Sequence, residues 1–378
     1  ALFDARLETS RVWTKNPTIL AQHLTCAAYE RALFGNPGAD ETYFGDSALD
    51  VAVTLLASGE LCRDARSTTP WDPNARVVQP LLAPRARAPA LDVSVRTIEE
   101  ERFEVVDVGG AREKVIANIE ASKAFFEVYE GAVYAHRGRT MMCSKLDLER
   151  KRAFVRAADV KYFTRVKHET TCVVRGGVRA YTDADTQVRC DDVTVRTVFT
   201  GFSRVSRGSL AAFDHESFPP RETTFRTVAA WFRVPDAVVA EAEDAGVDLR
   251  AGVHAASHAI LNALPLRVPC GDDDVGCECF VPDLRRERRR RYAPVRILLY
   301  DRHLGGVGIA SRAAKILPEL VRDAIDIVSS CECERTDGCP RCVQRKSCAA
   351  YNARVRRDAA RFVLERARDA LTPETSRE

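Results

Sequence analysis

The chain is 378 residues long, with 46% apolar residues, 29% charged residues and a formal net charge of +3. That length exceeds what one hydrophobic core requires and points to two or three folded domains. No stretch approaches the ~18 apolar residues of a membrane helix. The start Ala1-Leu2-Phe3-Asp4-Ala5-Arg6 lacks a secretory pattern, and so small a net charge supplies no whole-molecule field to draw a polyanion. The expectation is an intracellular protein with no membrane partner.

Taken in order, Pro17 to Leu33 reads as a helix, with Ile19, Leu20, Leu24, Ala27 and Ala28 at helical spacing behind the start signal Asn16-Pro17. Ala48 to Leu56 reads as a second helix closing near Gly59, and with the Trp71 region the two make a small helical or winged-helix module. Four prolines in 73–90 mark an extended connection. From 91 the period becomes two. Leu91, Val93 and Val95 alternate with polar residues, Phe103 to Val106 gives another strand, and a short helix covers Ser122 to Tyr129. Ala132 to His136, Thr140 to Cys143 and Ala153 to Arg156 complete a small β module. Longer strands follow at Thr171 to Val174, Asp192 to Thr200 and Thr223 to Phe232, with Pro219-Pro220 expected to separate two of them. The last part is mostly helical: Ala237 to Ala245, Ala251 to Leu264, Ile309 to Val328 with a kink at Pro318, and Val355 to Leu371. Between the second and third of these, the apolar run Val295 to Tyr300 reads as a strand entering the turn Gly305-Gly306-Val307-Gly308, and the tail after Thr372 reads as frayed.

The fold class is therefore α+β: an N-terminal helical or winged-helix-like region over 1–90, a small mixed β module over 91–164, an antiparallel sheet region over 165–235, and a helical zinc-binding domain over 236–378. Zinc enters through the thirteen cysteines. In a chain without export features they read as buried thiols and metal ligands rather than disulfides. Cys331-Glu332-Cys333, five intervening residues, and Cys339-Pro340-Arg341-Cys342 supply four thiolates, the shell that fills a tetrahedral structural zinc and leaves no position for water. Cys348 stands in reserve as a replacement ligand. Cys270, Cys277 and Cys279 offer three thiols for a second metal without an assured fourth. His254 and His258 lie four apart, but no glutamate follows the first, so the general base of a zinc hydrolase is missing. Packing against the glycine-rich turn, with Asp301 or His303 as partner, is expected for them.

No G-x-x-x-x-G-K-[ST] loop and no Asp-Glu-x-His or Asp-Glu-x-Asp box occurs, so these residues should not hydrolyse ATP, and no catalytic residue is assigned. Basic residues cluster at Arg285 to Arg291 and at Arg345, Lys346, Arg354, Arg356 and Arg357. Guanidinium groups suit phosphate oxygens, and the candidates for nucleic-acid contact are Arg204, Arg207, Arg286, Arg289, Arg345 and Lys346.

Several of these pieces, in this order, resemble the C-terminal half of the MrfA-type superfamily-2 DNA helicases. They are Gly252-Val253-His254-Ala255-Ala256-Ser257-His258-Ala259, Leu264-Pro265-Leu266, Leu299-Tyr300-Asp301 with Gly305-Gly306-Val307-Gly308, and Cys331-x-Cys333 with Gly338-Cys339-Pro340-Arg341-Cys342-Val343. Upstream, Asn16-Pro17 with His23-Leu24-x-Cys26-Ala27-Ala28, and Tyr129-Glu130-Gly131-Ala132-Val133-Tyr134-x-His136-x-Gly138, resemble the part that follows the second motor domain. The resemblance implies an accessory, strand-guiding region of an ATP-dependent 3′-to-5′ helicase of DNA repair, with ATP and magnesium used only in motor domains absent here. It implies single-stranded or forked DNA and those motor domains as partners, and Cys331, Cys333, Cys339 and Cys342 as zinc ligands. Residence would be nuclear in a eukaryote and cytoplasmic in a bacterium. An RNA-binding or protein-interaction scaffold stabilised by the same zinc is the rival reading.

Overall fold

The computed structural model describes residues 13, 15–34, 39–63, 81–82, 88–91, 93, 99, 101–175, 187–279 and 295–371. The arginine run at 285–291, the Trp71 region and the tail after Thr372 lie outside the described residues, as does most of the alternating segment at 91–95, whose Leu91 closes a 3-10 turn. Two compact units are present, one of residues 1–98 with 303–308, the other of 99–302 with 309–378.

The first unit contains α1 (Pro17–Glu30), α2 (Ala39–Phe44) and α3 (Ala48–Ser58), then a two-stranded antiparallel pair of β1 (Cys62–Arg63) and β2 (Leu81–Leu82). Helices followed by such a pair make a winged-helix-like arrangement. Leu20, Leu24 and Ala28 bring one stripe of α1 onto Ala48, Ala52 and Leu55 of α3, with Leu33, Phe34 and Leu61 closing the core. Asn16 starts the unit. Its Oδ1 accepts from the N–H groups of Thr18 and Ile19 at 3.0 and 3.2 Å, capping α1 ahead of Pro17. Its Nδ2 donates to the carbonyls of Leu304 and Gly306, both at 2.7 Å, so a fully buried amide uses both its acceptor and its donor side.

The second unit holds two five-stranded sheets and the remaining helices. One sheet has the order β4 (Lys114–Glu120), β3 (Arg102–Asp107), β7 (Arg152–Ala157), β6 (Arg139–Asp147), β5 (Val133–His136). Its β3–β7 pair is parallel, which makes the sheet mixed. Helix α4 (Ala121–Glu127) follows β4 and adds Ala124 to the core, where Phe103, Val105 and Val155 meet Phe199 and Phe202. Those two phenylalanines belong to the other sheet, of order β11 (Val275–Cys277), β12 (Arg296–Asp301), β10 (Ala212–Arg233), β9 (Arg189–Ser206), β8 (Tyr162–Val174), which is antiparallel throughout. Pro219-Pro220 does not separate two strands. It sits in a register shift between Ser217 and Arg221 inside one long β10, where residues lacking an N–H cost no ladder bond. The boundary read at 235/236 likewise cuts across this sheet, since β11 and β12 come from the C-terminal part of the sequence.

Side chains from the β11 and β12 side of the sheet reach β8 at the opposite edge. Glu278 accepts from the N–H of Cys172 at 3.2 Å, and Arg296 donates to the Cys172 carbonyl at 2.7 Å while pairing with Glu278. An edge that would otherwise offer bare backbone groups is thereby partly covered.

Against this sheet lie α5 (Asp236–Asp244), α6 (Leu249–Ala263), α7 (Ile309–Lys315), α8 (Leu317–Ser330) and α9 (Arg357–Leu371). The single kinked helix expected over 309–328 is two helices, broken at Ile316, with Pro318 in the first turn of the second, where a missing N–H is harmless. Every residue of α6 except Arg250 and Asn262 is buried. Its Ala- and Gly-rich sequence lets β12, α8 and α9 approach closely, and the chain's largest core cluster forms around it.

Candidate metal centre

Cys331 is the residue that ends α8, and Cys333 follows two residues on, outside regular secondary structure. The other two cysteines lie on a tight knuckle, where the Cys339 carbonyl accepts from the N–H groups of Cys342 (3.0 Å), Val343 (3.2 Å) and Gln344 (3.0 Å). Gly338 makes the entry possible. Its φ is +69°, and a Cβ there would lie 2.3 Å from Val343 Cγ2 and 3.0 Å from Cys342 Sγ. The sulfurs of Cys331 and Cys339 are 3.6 Å apart, those of Cys333 and Cys342 3.8 Å, and all four lie within 4.8 Å of one another. A tetrahedron with Zn–S bonds of about 2.3 Å has edges of about 3.8 Å, so the sulfurs already stand at ligand spacing.

Neighbouring groups reinforce the same geometry. The Cys339 N–H donates to Cys342 Sγ at 3.1 Å. Arg357, at the start of α9, donates to the Cys333 carbonyl, to the Val328 carbonyl at 3.0 Å, and lies 3.6 Å from Cys333 Sγ. It thus serves a carbonyl of the last turn of α8 and places a positive charge beside the sulfur cluster. Burial works against ionising Cys339, but hydrogen bonds from the Arg341 backbone and from Cys331, Cys333 and Cys342 outweigh it and bring its pKa down to about 7. Burial pushes Cys342 up to about 12. Thiols packed this closely share protons instead of ionising together, and a divalent cation is what permits four thiolates at once. The donor set fits a structural zinc with no open position for catalysis.

The remaining expected residues fall elsewhere. Cys348 is no substitute for one of these four. Its Sγ is 3.4 Å from His254 Nε2, while Cys279 Sγ is 3.8 Å from His258 Nε2, and these four residues form a second cluster. The grouping of Cys270, Cys277 and Cys279 gives way to this one, as does the expected packing of the histidines on the glycine-rich turn. Their Nδ1 atoms face the carbonyls of Arg354 (3.3 Å) and Val343 (2.8 Å). The signal available in the sequence was the His-x3-His pair beside two cysteines left over from the first cluster. Nothing local joins them, because Cys279 and Cys348 meet only through the tertiary fold.

Among the nucleic-acid candidates, Arg204 pairs with Asp214 and with Glu216 (2.7 Å), and its guanidinium lies 5.1 Å from the Phe202 ring centre. Arg345 is buried, donating to Asn262 Oδ1 and pairing with Asp272, both at 2.9 Å. Arg207 and Lys346 are exposed, and Arg286 and Arg289 lie outside the described residues. A concavity the sequence did not single out opens over β8 and β9. Its volume is about 410 Å³, and Arg165, Lys167, His168, Ser203, His215 and Tyr351 are among its lining residues. Arg165 lies 5.1 Å from the Phe163 ring centre and 5.3 Å from that of Tyr351. Burial, with the charge of Arg302 nearby, holds His168 below its ordinary pKa, leaving Arg165 and Lys167 as the cations on β8.

The chain thus pairs a winged-helix-like unit with a four-cysteine knuckle on a helical scaffold. Residues 12–98 match the winged helix domain of the ATP-dependent helicase HRQ1, and residues 256–343 match the MrfA Zn-binding domain. Its C-terminal part thus carries a domain of the MrfA Zn-binding type. The chain is 25% identical over 340 residues to the ATP-dependent helicase hrq1 of Schizosaccharomyces pombe, a match covering 87% of this chain and 30% of that protein. The uncharacterized ATP-dependent helicase YprA of Bacillus subtilis is 25% identical over 342 residues, covering 90% of this chain and 42% of that protein. The chain therefore spans less than half the length of the curated relatives it matches. The fold is similar to that of the DUF1998 helicase MrfA solved bound to DNA, with a TM-score of 0.50, 22% identity, and coverage of 96% of this chain and 44% of that one.

Proposed function

We infer that this chain is the DNA-binding, strand-guiding C-terminal region of an ATP-dependent helicase that moves 3′ to 5′ and serves DNA repair. The observation that carries the reading is the pairing, in one chain, of an HRQ1-type winged helix with an MrfA-type zinc-binding domain, in a fold like that of a helicase solved on DNA. The sequence itself holds no nucleotide-binding loop, so its part is to hold the strand while motor domains supply the work.

The concavity on β8 is the surface offered to the strand. A guanidinium near the Tyr351 ring, with a lysine lining the same concavity, would combine backbone charge with an aromatic face that accepts any base. Fluorescence anisotropy with matched single strand, fork, duplex and RNA across a salt series tests this. Arg165→Ala and Lys167→Ala should each weaken single-strand binding and flatten the log K against log salt slope by about 0.7. Arg345→Ala, which removes a buried guanidinium, should lower the melting temperature and leave the slope alone. Tighter binding of RNA would favour the rival reading, and unchanged slopes in both β8 variants would remove the concavity from the strand path. Polarity is tested on the complete protein with its motor domains, where unwinding of 5′-tailed in preference to 3′-tailed duplex would refute the assignment.

A further inference from the structure

We propose that His254, His258, Cys279 and Cys348 hold a second structural zinc ion, separate from the four-cysteine centre. The two histidines are one turn apart on α6, with ring centres 4.4 Å apart, and both are almost wholly buried, as is Cys348. Cys279 arrives from the segment after β11 and Cys348 from the loop beyond the knuckle. Two imidazole nitrogens and two sulfurs from three separate parts of the chain thus lie within 4.8 Å of one another.

Three further observations favour a metal over a chance meeting of thiols and imidazoles. First, the sulfur-to-nitrogen separations of 3.4 and 3.8 Å bracket the edge of about 3.5 Å that a tetrahedral Zn–S, Zn–N site requires. Second, each Nδ1 faces a backbone carbonyl, at 2.8 Å for His258 and 3.3 Å for His254. That contact puts the ring proton on Nδ1 and leaves the Nε2 lone pair aimed at the sulfurs, the arrangement that orients metal-bound histidines. Third, Cys348 Sγ accepts from the Asn352 N–H at 3.2 Å, as Cys342 Sγ in the first centre accepts from Cys339. The loop that carries Cys348 also needs a tether. Tyr351, Asn352 and Arg354 all adopt positive φ, between +52° and +59°, a conformation that costs non-glycine residues energy and persists only where surrounding contacts impose it. A metal bond from Cys348 to α6 supplies such a contact, along with the two hydrogen bonds between Asn352 and the Arg345 backbone.

Two N and two S ligands select zinc over magnesium or calcium, and four protein ligands leave no site for substrate, so the ion is structural. The inference is independent of DNA binding, since its test reads metal alone. Elemental analysis of the reduced, folded chain should give two zinc ions per molecule. X-ray absorption on the same unmutated material should give a mean first shell of about three sulfurs to one nitrogen per zinc, the average of an all-sulfur and a two-plus-two site. Cys348→Ser should bring the count from two to one. One zinc per chain with an all-sulfur shell overturns the proposal, as do two zinc ions with no nitrogen in the shell, and neither result depends on a variant that might fail to fold.

Discussion

Helix α6 carries both histidines and packs so tightly against α9 that one methyl group is a sharp probe of the scaffold. A Cβ built on Gly252 would lie 2.8 Å from the Ala359 carbonyl oxygen, 3.0 Å from its carbon and 3.1 Å from its Cβ. Two of those atoms are backbone in the first turn of α9, so no side chain can swing away and the helices must separate. Gly252→Ala gains about 1 kcal/mol of helix propensity. Against this, overpacking of a well-filled contact costs about 1–3 kcal/mol, with the upper half of that range expected for a rigid obstacle. The balance is a net loss of about 1–2 kcal/mol, or roughly 2–8 °C in melting temperature for a unit of this size. Thermal unfolding followed by near-ultraviolet circular dichroism reads the shift, and zinc content measured alongside separates a packing loss from a ligand loss. Gly252→Val should cost more than Gly252→Ala. A Gly252→Ala protein as stable as the parent, with its zinc retained, would refute the close approach and with it the account of why this helix is built from small residues.

Stripping the four-cysteine centre of metal should expose its uneven proton affinities. Cys339, with a pKa of about 7, should alkylate first with a half-maximal rate near neutral pH, and Cys342 last, as mass spectrometry of iodoacetamide-treated protein would show. The loaded protein should resist alkylation at all four and release its zinc as pH falls, because protons compete for the thiolates. In the first unit, Asn16→Ala removes a helix cap worth about 1 kcal/mol and leaves two carbonyls without their donor, for a combined loss of about 2–4 kcal/mol by denaturant unfolding. Asn16→Asp keeps the cap but sets a carboxylate against those carbonyls, which raises its folded pKa. Its deficit should therefore be smallest below the ordinary aspartate range and grow as pH rises through the folded value, and a deficit independent of pH would count against this geometry.

Helix starts and sheet strands were legible because their causes are local. Asn16-Pro17 predicts the start of α1 and the structure shows the cap that makes it so; the alternation from Asp192 to Thr200 reports a half-buried strand, and β9 contains it. Pro318 suggests a kink in the sequence but starts a helix in the structure, since a proline disrupts only when four residues of helix precede it. Pro219-Pro220 suggests a break because sequence shows the missing N–H groups but not the bulge that makes them harmless. In the site, the four crowded cysteines were legible from spacing alone. Arg345 was not, because an arginine near a cysteine cluster looks like a phosphate ligand until Asn262 and Asp272 are seen to enclose it.

The loop that carries Cys348 and the concavity on β8 are joined by a few residues of strained backbone. Tyr351 follows Cys348 by three residues, its N–H donates to the Cys348 carbonyl at 3.0 Å, and its hydroxyl donates to the Val166 carbonyl on β8. Arg165, next to Val166, then lies near the Tyr351 ring. The aromatic wall of the concavity is therefore positioned from both ends, by a sulfur on one side and by a sheet edge on the other. A loop with three non-glycine residues at positive φ would relax if either end were cut. Losing Cys348 should then disorder Tyr351 and weaken single-strand binding without removing any basic side chain, so affinity should fall while the salt slope stays at its parental value. Losing Arg165 should change the slope. That contrast separates a group that holds the platform from one that touches phosphate.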